Sequence, residues 1–167
     1  MRTRTLIITL LIIFSLGVKA AENISGAQAM YIYNFLRHIN WPENSVGEKF
    51  IIGVYGTSET YDQLVSFTKD RKIGSKVIQV IKVANTEEAS KCQLLFVPFS
   101  KSSKIAEIKN SIGNKSCLIV SEKSGTLDSG SAIEFLIVND RLKFKISEAN
   151  AKQQKLEVSK ALMDMSA

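Results

Sequence analysis

Residues 92–120 read CQLLFVPFSKSSKIAEIKNSIGNKSCLIV, and this stretch decides the fold. Leu94 to Val97 is a short continuous apolar run, as is Leu118 to Val120. Between them, Ser100 to Ile112 carries Ile105, Ile108 and Ile112 at helical spacing and stops at Gly113, a residue that tolerates the left-handed conformation of a helix end. Strand, amphipathic helix, strand is the pattern of a parallel crossover unit, whose strands are buried on both faces and so read as apolar runs rather than alternating ones.

Upstream the same grammar repeats. Phe50 to Tyr55 is a strand, and Ser58 opens a helix to about Lys69 that carries Tyr61, Leu64, Val65 and Phe67. Val77 to Val83 is rich in β-branched residues and reads as a further strand, followed by one helical turn over Glu87 to Ser90. Further back, Ser25 is the expected cap of a helix from about Gly26 to Ile39. That helix is apolar nearly all round and is stopped by Pro42.

Downstream the pattern changes. Ile133 to Val138 and Leu142 to Ile146 flank Asn139-Asp140, a two-residue hairpin turn. A closing amphipathic helix is expected from about Glu148 to Met165, and Glu122 to Ser131 reads as a polar, mobile loop. The fold class is therefore α/β: a single domain with a mainly parallel twisted sheet flanked by helices, ending in a C-terminal β-hairpin and a closing helix.

The start of the chain has a separate purpose. Arg2 and Arg4 precede an apolar run from Leu6 to Val18, and Val18-Lys19-Ala20 presents a cleavage site of the A-x-A kind. The run is too short to span a bilayer comfortably, since a spanning helix needs about 20 apolar residues. Residues 1–20 read as a secretory signal peptide and 21–167 as the mature domain, with an uncleaved N-terminal anchor as the alternative. The whole chain has 22 basic and 16 acidic residues, a net +6. Without Arg2, Arg4 and Lys19 the basic count falls to 19, leaving +3. That balance does not suit nucleic acid, and no later segment is long and apolar enough to cross a membrane.

Export bears on the two cysteines. Cys92 and Cys117 each stand at the start of an apolar strand, and the two strands are separated by one helix. A right-handed crossover makes such strands neighbours with their starts at the same end, about 4.8 Å apart. An oxidising compartment favours a disulfide there, provided both side chains leave the sheet on the same face. Closing the 24-residue loop between them would contribute roughly 3 kcal/mol in the chain-entropy model. Two buried free thiols are the alternative.

Catalytic signatures are missing: there is no G-x-S-x-G elbow, no phosphate-binding glycine loop, no H-E-x-x-H and no C-x-x-C. His38, the single histidine, sits among apolar residues and reads as structural, and no metal or cofactor is expected. Gly53, Gly56 and Ser58 form a strand-to-helix turn whose backbone N–H groups could receive a small anionic ligand, a nucleotide or an amino acid, although glycine also simply permits a tight turn.

Four stretches together resemble the YfiR/HmsC-like family of periplasmic proteins. They are YNFLRHINWP (Tyr33 to Pro42), FIIGVYG (Phe50 to Gly56), CQLLFVPFS (Cys92 to Ser100), and SGSAIEF (Ser129 to Phe135) running through KFKIS (Lys143 to Ser147) into LEVSKALMDM (Leu156 to Met165). They occur in family order over nearly the whole mature chain. The chain departs from the family at Ser131, where a second glycine is usual, at Ser147, where Asn is usual, and at His38, where an aromatic or aliphatic residue is usual.

The resemblance implies a non-enzymatic regulator. It implies docking on the periplasmic domain of an inner-membrane signalling protein, a diguanylate cyclase first among them, with repression that lowers cyclic-di-GMP and biofilm formation. It also implies homodimers and stabilising disulfides. The apolar surplus of the closing helix places the expected docking surface at Leu156, Val158, Leu162 and Met163, unless that helix packs between sheet and dimer partner. A small-molecule binding module is the alternative function.

Overall fold

A computed structural model describes residues 24–167; the signal-peptide reading and its cleavage site lie outside the described residues. Helix α1 covers residues 24–38 and buries Ala29, Ile32, Phe35 and Leu36. Its N-terminus differs from expectation: Ser25 lies inside the helix and is buried, so it is not the cap. Its other end, at residue 38, falls within one residue of the expected Ile39, and there β1 (Ile39–Asn40) turns to pair antiparallel with β9 (Glu157–Val158).

The main sheet contains β2 (Lys49–Tyr55), β3 (Lys72–Ile73), β4 (Lys76–Val83), β5 (Leu94–Val97), β6 (Leu118–Ser121), β7 (Ile133–Val138) and β8 (Arg141–Ile146), in the order β3-β4-β2-β5-β6-β7-β8. Every pairing from β4 to β7 is parallel, while β3 and β8 add antiparallel edges, so the sheet is mixed. The central strands β5 and β6 are buried at every residue, as continuous apolar runs require. Asn139 and Asp140 both have positive φ, 49° and 57°, the two-residue geometry whose twist suits a hairpin.

Each face of the sheet carries its own core. On one face Phe50, Ile52, Phe96, Val120, Phe135 and Phe144 meet α1, α2 (Glu59–Thr68), α5 (Glu148–Gln153) and α6 (Lys160–Asp164). On the other, Val83, Leu95, Val97 and Ile119 meet α3 (Thr86–Ala89) and α4 (Ile105–Ile112). The β8 edge is partly covered. Tyr31 donates its hydroxyl to the Leu142 carbonyl, Ala167 N–H donates to the Phe144 carbonyl, and Ile146 N–H donates to Ser166 Oγ. An exposed strand edge invites pairing with another chain, and here three of its outward groups already have partners.

The expected closing helix, Glu148 to Met165, is not one helix. The chain leaves α5 at Gln154, takes a left-handed turn at Lys155 (φ 58°), pairs β9 with β1, and restarts as α6 under a Ser159 cap. Ser159 N–H also donates to the His38 carbonyl, and its hydroxyl lies 3.4 Å from His38 Nδ1. The break carries both Leu156 and Leu162 into the core, which a straight helix with their six-residue spacing would not do.

Glu122 to Ser131, read from sequence as a polar, mobile loop, has its second half tied to neighbouring elements. Glu134, itself buried, accepts hydrogen bonds from Thr126 N–H at 2.6 Å and Leu127 N–H at 3.2 Å. Asn150 Nδ2 donates to the Leu127 and Ser131 carbonyls. Side chains from β7 and α5 thus satisfy backbone groups of Thr126, Leu127 and Ser131.

Candidate functional site

Parallel strands end together, and ligand or partner sites of open α/β sheets lie beyond their C-terminal ends. At that end a groove of about 400 Å³ opens between the first turn of α1, the segments after β5 and β6, and the β7–β8 hairpin. Ile24, Phe99, Ile137 and Leu142 supply apolar walls, Phe135 the buried floor, and Gln28, Glu122 and Lys123 the polar end.

A hydrogen-bonded chain holds the polar end. Thr60 Oγ1 donates to Gln28 Oε1 at 2.7 Å, Gln28 Nε2 donates to Glu122 Oε1 at 3.2 Å, and Phe99 N–H donates to Glu122 Oε2 at 2.7 Å. Thr60 and Gln28 are buried, so their polar atoms need these partners. The chain links α2, α1, β6 and the segment after β5. It leaves the Phe99 ring outside, 62 % exposed, with Lys123 Nζ 5.4 Å from the ring centroid.

The sequence-derived ligand turn divides. Gly56 has φ 83° and does make the strand-to-helix turn, but its N–H donates to the Val83 carbonyl. Ser58 caps α2 by accepting from Thr60 N–H. Gly53 lies inside β2, and a Cβ there would stand 2.5 Å from Cys92 Sγ and 2.8 Å from Val83 Cγ2. Its bare backbone makes room for the Cys92 thiol.

Cys92 and Cys117 are free thiols, both buried and both in the core cluster on the α4 face. Burial, reinforced by the Glu88 carboxylate, pushes the Cys92 thiol up to about 12. Burial also raises Cys117 well above its usual range, with the neighbouring Cys92 adding to the effect. Neither is a poised nucleophile, since thiol reactivity follows thiolate content.

Of the expected docking residues, Leu156 and Leu162 are each 1 % exposed and belong to the core. Val158, on β9 opposite Ile39, and Met163 are half-buried beside them. The groove residues Phe99, Glu122, Lys123 and Ile137 were not singled out by the sequence. The available signal was a lone Phe99 in the otherwise polar run FSKSSK, and apolar Ile137-Val138 running into the tip of a hairpin.

Among the described residues no group of three or more His, Cys, Asp or Glu side chains is placed to hold a metal ion, and no helix is long and apolar enough to cross a membrane. Fold and site together describe an α/β domain with a largely apolar groove at the C-terminal end of its parallel strands. The family model described as YfiR/HmsC-like matches residues 25–167, and the chain belongs to that family. Its members are periplasmic regulators in cyclic-di-GMP signalling, regulatory rather than catalytic, and they act in partnership with a signalling protein. No curated protein sequence matches the chain significantly.

Proposed function

We propose that this chain is a non-enzymatic periplasmic regulator that docks on the periplasmic domain of an inner-membrane diguanylate cyclase and represses it, lowering cyclic-di-GMP and biofilm formation. The observation that carries the reading is the YfiR/HmsC-like match over residues 25–167, which spans nearly all of the described domain. The charged n-region, apolar run and Val18-Lys19-Ala20 site support export with cleavage after Ala20. In that oxidising compartment Cys92 and Cys117 become a disulfide. Their membership of one apolar cluster on one face of the sheet supports this pairing, because opposite faces would prevent it.

The test is recovery of the partner. A tagged full-length chain, expressed in its host and purified from the periplasm and solubilised membranes, should begin at Ala21 by intact mass and bring down a membrane-anchored diguanylate cyclase. The purified periplasmic domain of that cyclase should then bind the mature chain directly. A product still starting at Met1, or a cyclase domain that does not bind, would contradict the reading.

A further inference from the structure

Among the described residues, one buried side-chain atom lacks a hydrogen-bond partner: Gln154 Oε1. Gln154 is 3 % exposed and caps the end of α5, where its N–H donates to the Asn150 and Ala151 carbonyls. Lys155 then turns left-handed, so the backbone sets where the Gln154 side chain starts. Gln93, also buried, shows the ordinary arrangement: its Oε1 accepts from Ile51 N–H and its Nε2 donates to the Ser45 carbonyl. A buried amide oxygen with no donor is costly, and an apolar side chain of similar shape would avoid that cost.

Gln154 is the buried member of a hollow of about 370 Å³, with Lys109, Asn110, Gly113, Asn114 and Gln153 around it. That volume is in the range of small-ligand pockets. The hollow lies where α4 ends and the chain enters β6, at the opposite end of the sheet from the groove that Ile24 lines. A second hollow, of about 380 Å³, shares Asn114 with it and continues past Lys155 to Lys115 and Asn44.

The lining selects the ligand chemistry. Neither hollow contains an Asp or Glu, which argues against a cation. Lys109 stands in the last turn of α4, and Lys115 and Lys155 follow the ends of α4 and α5. Their charges offset the negative helix ends, which argues against an anion. What remains is amide: Asn110, Asn114, Gln153 and Gln154 each present a donor and an acceptor. A sugar hydroxyl likewise donates and accepts, so adjacent hydroxyls match such amides without net charge.

We propose that this hollow binds a neutral sugar, with one hydroxyl donating to Gln154 Oε1 and its neighbours pairing with the surrounding amides. The assignment is independent of the cyclase reading.

The full chain, expressed in its host with isotope label and purified, is titrated with glucose, N-acetylglucosamine and chitotetraose while its side-chain amides are followed by NMR. The Gln154 and Asn114 amide signals should shift saturably, with a Kd of roughly 1 mM or tighter for at least one of these sugars. Gln154→Met should keep or raise the melting temperature and weaken binding at least tenfold. Lys109→Gln should change the affinity less than twofold, and added salt should leave it unchanged, as for an uncharged ligand. Tighter binding of chitotetraose than of N-acetylglucosamine would place one unit of a glycan chain in the hollow, with the chain running past Asn114; equal affinities would mark a free sugar. The absence of a saturable shift with all three sugars would overturn the proposal. So would tighter binding of glucose 6-phosphate or spermidine than of glucose, or wild-type sugar binding by folded Gln154→Met. A Gln154→Met variant that melts several degrees lower in sugar-free buffer would assign the oxygen to solvent alone and overturn it as well.

Discussion

Glu122 Oε2 accepts a 2.7 Å hydrogen bond from the backbone N–H of Phe99, tying the end of β6 to the segment after β5. The same carboxylate takes Gln28 from α1, so one side chain fixes three parts of the groove. Glu122→Ala would leave Phe99 N–H and buried Gln28 short of partners and should cost about 1–3 kcal/mol. Chemical denaturation measures this; an unchanged midpoint would mean that water replaces the carboxylate at no cost.

Gly53 and Cys92 make a second such pair. Because a Cβ at Gly53 would stand 2.5 Å from Cys92 Sγ, Gly53→Ala should destabilise by roughly 1–3 kcal/mol through overpacking. Adding Cys92→Ala should recover part of that loss, since the two sites touch. Strict additivity in the double-mutant cycle would contradict the contact.

The thiols give a pH test with a definite sign. A free Cys92 raised from 9.0 to about 12 stays protonated in the folded chain while the unfolded chain ionises. Unfolding then releases protons, and stability falls as pH rises from about 9 towards 12, by up to ~1.4 kcal/mol per unit for each such thiol. The reduced protein should show this slope and should resist native alkylation at pH 8, about a thousandfold relative to an unperturbed thiol. The oxidised periplasmic protein should lose the slope and gain roughly 3 kcal/mol. Identical curves with and without reductant would contradict the proposed disulfide.

Leu156→Ala and Leu162→Ala each remove a fully buried side chain and should cost about 2–5 kcal/mol. Thermal unfolding checks this. Losses below about 0.5 kcal/mol would place these residues on the surface instead.

Much of the fold was legible because β5 and β6, buried on both faces, can only be written as apolar runs, and α4 announces itself through Ile105, Ile108 and Ile112. The C-terminal region misled for a physical reason. Nothing local to Gln154-Lys155-Leu156 breaks a helix; the break is stabilised by β9 pairing with β1, more than a hundred residues away in sequence, and by the Ser159–His38 contact. The anchoring of the 122–131 loop was hidden in the same way, because the carboxylate that holds Thr126 belongs to Glu134, a residue that reads as an ordinary polar position on a strand. The groove was invisible because Ile24, Phe99 and Ile137 come from separate elements and meet only where the parallel strands end.

The central claim is that the chain restrains a diguanylate cyclase from the periplasm. Cellular cyclic-di-GMP, quantified in the host, in a strain lacking the gene, and in that strain complemented with the full chain or with residues 21–167 lacking the leader, tests it most directly. The account predicts a rise on deletion, return to the wild-type level with the full chain, and no return with the leaderless form. Unchanged cyclic-di-GMP on deletion, or full complementation from the cytoplasm, would contradict it.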